Sequence, residues 1–222
     1  MSTSILTIDG PSGVGKGTVA RVIAQKLGWN LLDSGAIYRA FALAVENRGV
    51  DITDELTLVK IAIHLDLAFK TQTDSELVRV YLDGHDVSKE LRLETTGEMA
   101  SKIASIGVVR SALLKRQQDF AMSPGLVADG RDMGTVVFKK AEFKVYLTAN
   151  SEERANRRLK QLQAQGHKGI MSQILAEVEA RDARDSSRKH SPLKPAKDAL
   201  IIDTTELSLD EVIAQVSELV KA

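Results

Sequence analysis

Gly10-Pro11-Ser12-Gly13-Val14-Gly15-Lys16-Gly17-Thr18 follows a short apolar run, Ile5 to Ile8, and opens an apolar-periodic segment. A strand, a glycine-rich turn and a helix therefore succeed one another, which is the setting of a phosphate-binding loop. Glycines let successive backbone N–H groups aim inward, Lys16 reaches the outer phosphates, and the helix N-terminus adds positive potential. A nucleoside triphosphate is the expected ligand. The plainer reading, a glycine-rich loop that only turns, accounts for neither the spacing of the four glycines nor the strand and helix that flank them. One position departs from the general loop pattern: Gly17 follows the lysine where Ser or Thr is usual, and the first hydroxyl arrives at Thr18.

Working outward, strand-like apolar runs recur at Ile5 to Asp9, Leu31 to Asp33, Leu126 to Asp129, Phe143 to Leu147 and Ala199 to Asp203. Long amphipathic stretches lie between them. This alternation predicts a doubly wound α/β domain, a parallel sheet with helices on both faces. Ser151-Glu152-Glu153 reads as a cap and acidic first turn ahead of an arginine-rich helix, and Ser208 to Glu211 as a capping box opening the last helix. Asp66 to Val87 breaks the alternation. There Leu67-Ala68-Phe69 and Leu77 to Leu82, separated by a polar turn and followed by Asp83-Gly84, predict a small antiparallel unit. Helices over roughly 53–64 and 94–105 would carry the chain out and back. The polar stretch Gln165 to Lys168 joins two helices, and Pro192 and Pro195 are expected to end the second. No internal repeat or low-complexity segment is evident.

Length and composition narrow the function classes. The 222 residues suit one α/β domain with a small insertion and suffice to bury a core. Thirty basic residues balance thirty acidic ones, so no global field draws the chain to nucleic acid or an anionic membrane, and any anion site is local. No cysteine is present, which excludes disulfides, thiolate metal sites and Cys nucleophiles; the four His show no ligand spacing, and zinc is not expected. With no signal peptide and no apolar run of membrane-spanning length, a soluble cytoplasmic protein is expected. A monomer is the expected state.

Phosphoryl transfer between two nucleotides needs charge neutralisation, in-line positioning of two phosphates and exclusion of water. Arginines from several segments meet the first need. Asp33-Ser34-Gly35-Ala36-Ile37-Tyr38-Arg39 follows the second strand and opens a helix, so Ser34 and nearby amides can meet a second phosphate or sugar and Arg39 can clamp it; an ordinary capped helix would read the same way. Val127 to Thr135, with Asp129-Gly130-Arg131-Asp132 at its centre, follows a buried strand at its carboxyl end, where ligands bind in open α/β sheets. Asp129 could support hydrated magnesium, with Arg131 and Asp132 toward the acceptor. In Arg181 to Arg188 the helical spacing puts Arg181, Arg184, Asp185 and Arg188 on one face, which on charge pattern alone equally describes a solvated, salt-bridged surface.

Gly10 to Thr18, Asp33 to Arg39, Ala128 to Thr135, Ser151 to Arg158 and Arg181 to Arg188 together resemble the bacterial cytidylate kinases in their longer form. The likeness runs over nearly the whole chain. Gly-Lys-Gly-Thr is shared with other nucleoside monophosphate kinases, whereas Asp-Ser-Gly-Ala-Ile-Tyr-Arg and Gly-Arg-Asp-Met-Gly-Thr separate this family from the adenylate and guanylate kinases. The resemblance implies a single P-loop kinase domain over 1–222, with an inserted monophosphate-binding subdomain at 62–100 and a short lid at 154–170. It implies transfer of the γ-phosphate of ATP to CMP or dCMP with Mg2+. Lys16 and the loop amides of Gly10 to Thr18 would hold the ATP phosphates, Thr18 would face the metal, and Arg157 would lie over the ATP side. Arg39, Arg131, Arg181 and Arg188 would surround the acceptor phosphate and the moving group, with Tyr38 and Asp185 near the sugar.

Base choice also has a physical reading. Cytosine presents an amino donor at C4 and a ring acceptor at N3, so Asp132 suits the first, and Arg110 and Ser101 suit the ring acceptors. Uracil would set a carbonyl against Asp132 and leave a buried charge without a partner. Two alternatives stay open on the residues: a kinase for another small acceptor such as UMP or AMP, and a nucleotide-dependent switch signalling through the insertion. The second set of phosphate-binding groups, Arg39, Arg131 and Arg188, is more than a switch requires.

Overall fold

The computed structural model describes residues 3–71, 78–164 and 166–221. Leu77, the polar turn before it and Gln165, on which parts of the expectations fall, lie outside the described residues. In chain order the elements are β1 (Ser4–Asp9), α1 (Lys16–Leu27), β2 (Asn30–Asp33), α2 (Ser34–Asn47), α3 (Glu55–Ile63), β3 (Leu67–Thr71), β4 (Val78–Leu82), β5 (His85–Asp86), α4 (Glu94–Ile103), α5 (Gly107–Gln118), β6 (Gly125–Gly130), β7 (Phe143–Thr148), α6 (Ser151–Ala164), α7 (Met171–Ser186), β8 (Leu200–Asp203) and α8 (Leu209–Lys221). They fall into two units, one of residues 1–33 with 118–222 and one of residues 34–117.

The first unit is built on a five-stranded sheet in the order β2-β6-β1-β7-β8, every neighbouring pair parallel. All five strands coincide with the expected runs to within one residue at each end. Ile8 is in register with Asp129 of β6 and Val145 of β7, so the carboxyl ends of the three central strands reach the same edge. Leu6 and Ile8 of β1, Val127 of β6, Val145 and Leu147 of β7 and Ile202 of β8 pack with Val19, Ala20 and Ile23 of α1 and Val212, Ile213 and Val216 of α8. Strand alternation sends the intervening residues of β1, Thr7 and Asp9, to the opposite side, where they are also buried. Parallel strands connected by crossover helices require the apolar runs that the sequence carries.

Two helix ends differ from expectation. The N-terminal cap of α6 is Asn150, whose Oδ1 accepts the Glu153 N–H at 2.7 Å, and Ser151 is already helical. Helix α7 stops at Ser186, well short of Pro192; Asp185 then takes the Leu193 N–H on its carbonyl at 2.9 Å, closing a loop that contains Pro192, so the helix ends before either proline. The capping box at α8 is present in both directions: Ser208 N–H and Oγ donate to Glu211 Oε2 at 2.8 and 2.7 Å, and Glu211 N–H donates to Ser208 Oγ at 3.3 Å.

In the second unit β3, β4 and β5 form an antiparallel sheet, with Leu67 opposite Leu82 and Tyr81 opposite Asp86. Asp83 (φ 50°) and Gly84 (φ 78°) make the tight turn between β4 and β5, the conformation that an Asp-Gly pair favours. Helices α3 and α4 stand where the outgoing and returning helices were expected. Among the described residues no helix is long and apolar enough to cross a membrane. A parallel sheet with helices plus a small antiparallel sheet is the expected fold class.

Candidate active site

The loop after β1 is shaped by close approach. Gly10 has φ 149°, and a Cβ there would stand 2.1 Å from the Leu147 carbonyl oxygen of β7, so no side chain fits. Gly15, at φ 92°, is the residue before α1, and its carbonyl accepts the Thr18 and Val19 N–H groups, both at 3.1 Å. Lys16 thus begins the helix. Its Nζ donates to the Pro11 carbonyl at 2.7 Å, folding the side chain back along the loop until it is 8 % exposed. Gly13, Gly15, Gly17 and Thr18 remain exposed. The loop therefore offers helix-start amides, a hydroxyl and one ammonium to an anion.

Beside it sits Asp129, at the end of β6. A Cβ on Gly17 would touch Asp129 Oδ2 at 3.4 Å, so the absence of a side chain at the unusual position lets the first turn of α1 lie close to this carboxylate. Burial raises the Asp129 carboxyl to about 7, with Lys16 opposing the rise and Asp33 adding to it. Burial lowers Lys16 to about 8, opposed by Asp129 and reinforced by Arg131 and Arg181. The loop lysine, the β6 carboxylate and two of the predicted arginines thus share one buried electrostatic neighbourhood.

The arginine set is organised by a carboxylate. Asp185, 0 % exposed, accepts from Arg131 Nε on one oxygen and from Arg188 Nη2 on the other. Burial pushes its carboxyl up, yet Arg131 and Arg188 outweigh this and hold it below the ordinary value. Arg181 lies one helical turn earlier on α7. Arg184, placed on the same face by spacing, is exposed instead: the face that turns inward carries Arg181, Asp185 and, past the end of the helix, Arg188.

Three residues that the sequence reading did not assign complete this part of the site. Asp9 accepts the N–H groups of Met133 and Gly134, both at 2.8 Å, and so fixes the turn that begins at Asp132. That turn is wound wider than an α-helix, since Val137 and Phe138 N–H reach back five residues to Asp132 and Met133 carbonyls. Gly134 permits the contact: a Cβ would fall 2.9 Å from Thr7 Oγ1. Arg154, buried, pairs with the half-buried Asp182 between α6 and α7. Only the acid at the end of an apolar strand was visible in the chain itself; the Arg154 partner is 28 residues away and set by helix packing. Arg157 is braced by Glu153 (2.9 Å) and by the Thr204 hydroxyl (3.1 Å) and carbonyl (2.6 Å).

Within the second unit, Arg39 Nη1 donates to the Leu91 carbonyl at 2.6 Å, and a Cβ on Gly97 would stand 3.4 Å from its other terminal nitrogen. Arg110 donates to the Ala104 carbonyl at 2.9 Å and lies 5.5 Å from the centroid of the Tyr38 ring, within cation–π range. Ser101 on α4 and Tyr38 on α2 are buried. Ser34 Oγ donates to Gln117 Oε1 at 2.7 Å, a buried bond that secures the start of α2.

The chain matches the cytidylate kinase family model over residues 6–222. It is 56% identical over 211 residues to the cytidylate kinase of Aliivibrio salmonicida, covering 95% of this chain and 93% of that one. The cytidylate kinase of Pseudomonas fluorescens is 54% identical over 212 residues, with 96% and 93% covered, and that of Vibrio cholerae 53% identical over 220 residues, with 99% and 97% covered. A phosphate loop ending in Gly-Lys-Gly-Thr, a carboxylate-centred pair of arginines at the same sheet edge and this match along nearly the full length agree: the chain belongs to the cytidylate kinase family.

Proposed function

We infer that this protein transfers the γ-phosphate of ATP to CMP or dCMP, giving ADP and CDP or dCDP. The observation that carries the reading is the loop that opens α1, where Lys16 begins the helix and Gly17 leaves room for Asp129 of β6, together with the Asp185 carboxylate that gathers Arg131 and Arg188. A moving phosphoryl group spreads negative charge over its oxygens, and fixed cations in a water-poor setting stabilise it. Lys16 exchanges its Pro11 contact for a phosphate oxygen of ATP, and the amides of Gly10 to Thr18 hold the rest of the chain of phosphates. Arg131, Arg181 and Arg188 neutralise the transferred group. Arg157, braced by Glu153 and Thr204, covers the donor nucleotide. No general base is needed, because the acceptor oxygen is already ionised near neutral pH.

The residues fit a magnesium ion brought in with the nucleotide. Among the described residues no three His, Cys, Asp or Glu side chains cluster as a metal cage, but magnesium sites of this class take one or two protein oxygens and otherwise phosphate and water. Thr18 and Asp129 would supply those two, and the burial of Asp129 gives its charge a reason to attract a cation. When bound, the ion screens the β- and γ-phosphate oxygens.

On the acceptor side we assign Ser34, Tyr38, Arg39, Ser101 and Arg110 of the second unit, and Asp132, Arg131, Asp185 and Arg188 of the first, to CMP. Asp132 takes the cytosine amino group, and Ser101 and Arg110 the ring acceptors. A monomer in the cytoplasm is the setting we propose. The test is ADP release with CMP, dCMP, UMP and AMP side by side: CMP and dCMP should stimulate it strongly, and a rate no higher than with ATP alone for all four would overturn the reading. Asp132→Ala should lower kcat/KM for CMP by about a hundredfold and for UMP far less, following the cost of a lost buried charge partner; equal losses would remove Asp132 from base recognition.

A further inference from the structure

We propose that Asp182 is a positioning residue, which ties helix α7 to the phosphate loop through Arg154. The proposal rests on the kinase reading and names a part of its machinery that touches neither nucleotide. Arg154, 4 % exposed, projects from the first turn of α6. Its Nε donates to the Ala149 carbonyl and its Nη1 to the Ser12 carbonyl of the loop, both at 3.1 Å. The same guanidinium forks onto Asp182 with both terminal nitrogens, Nη1 to Oδ1 at 3.0 Å and Nη2 to Oδ2. Loop and helix are also packed without slack: at Gly13, which has φ 83°, a Cβ would stand 3.3 Å from the Arg154 Cβ.

Exposed ion pairs such as Arg48 with Asp83 have little hold on geometry. A two-pronged fork on a buried guanidinium differs, because it fixes both distance and plane, and Arg154 cannot give up the half-buried Asp182 carboxylate without remaining desolvated. What it fixes matters for transfer. The loop places the donor phosphates, whereas Arg181 and Asp185, one residue before and three after Asp182 on α7, supply one cation directly and arrange Arg131 and Arg188. One guanidinium bonded to a loop carbonyl and to α7 therefore sets the spacing between these two groups, and errors near 1 Å in such spacing cost about a hundredfold in rate.

The experiment compares Asp182→Asn, Arg154→Met and the double variant for kcat with ATP and CMP, for affinity of a non-hydrolysable ATP analogue, and for urea midpoint. In Asp182→Asn the Arg154 bonds to Ser12 and Ala149 persist, so analogue affinity should stay within about threefold of the parent while kcat falls about tenfold to a hundredfold. Arg154→Met should weaken analogue binding as well, and the double variant should be no slower than Arg154→Met alone, since coupled residues lose additivity. Asp182→Glu, which keeps the charge, should recover most of the lost kcat and guards against a variant that fails to fold. A kcat for Asp182→Asn within about twofold of the parent, affinity falling in step with kcat, or additive losses would each overturn the proposal. Hydrogen exchange reads the tie without turnover: Asp182→Asn should speed exchange of the loop amides 12–17, and unchanged exchange overturns it. Absence of CMP-stimulated turnover in the parent chain would instead sink the kinase reading.

Discussion

Asp9 shows how much one buried side chain decides. Its carboxylate holds the Met133 and Gly134 amides and through them the turn that presents Arg131 and Asp132. Burial raises the carboxyl to about 6, with the amide bonds opposing the rise and Asp132 adding to it. A group whose pKa is higher folded than unfolded binds its proton more tightly in the folded state. Its contribution to stability is therefore complete below about pH 4, the range of an ordinary Asp, and is lost as pH climbs through 6. Asp9→Asn does not titrate, and its amide can accept only one of the two N–H groups, which lowers stability by an amount independent of pH. The stability of the parent relative to Asp9→Asn should fall between pH 4 and pH 7 in urea titrations at fixed temperature. A flat difference would show that the carboxyl is not held in a desolvated site.

At the scale of elements, the start of α6 and the turn after β6 invite direct tests. Asn150→Ala should cost about 1 kcal/mol, the usual worth of an N-cap, while Ser151→Ala should leave the urea midpoint nearly unchanged. The reverse ranking would return the cap to Ser151. Gly134→Ala forces a Cβ to within 2.9 Å of Thr7 Oγ1, so the widened turn must lift away from β1. Overpacking of this kind costs about 1–3 kcal/mol, and because Asp132 begins the turn and Arg131 precedes it, CMP turnover should fall together with the denaturation midpoint. Retained activity at a lowered midpoint would separate the turn from the chemistry.

For the whole molecule, the two units carry different assigned duties. A non-hydrolysable ATP analogue should slow hydrogen exchange in residues 10–18, whereas CMP should slow it in α2 and α4 of the second unit. Exchange in α2 and α4 that ignores CMP would withdraw Tyr38, Arg39 and Ser101 from the acceptor site. Ligand-dependent ordering of this kind accompanies exclusion of water, without which ATP would be hydrolysed.

Much of this was readable along the chain because it depends on neighbours in sequence. The parallel strands announce themselves as apolar runs, the Asp83-Gly84 turn and the Ser208–Glu211 box are local hydrogen-bond patterns, and the phosphate loop needs only its glycines and the lysine that follows. The cap of α6 is not decided along the chain, because Asn150 and Ser151 are both good capping residues and only the folded course of the backbone chooses between them. Where the charged groups meet could not be read in this way. Helical spacing puts Arg184 and Arg188 on one face with Arg181, but packing sends Arg184 to solvent and brings Arg131, from a strand end 54 residues earlier, onto Asp185. The pairing of Arg154 with Asp182 and the hold of Asp9 on residues 133 and 134 belong to the same class. An ion pair or a buried acceptor takes whichever donor the fold delivers within reach, and that distance is fixed by how strands and helices stack rather than by the order of the residues.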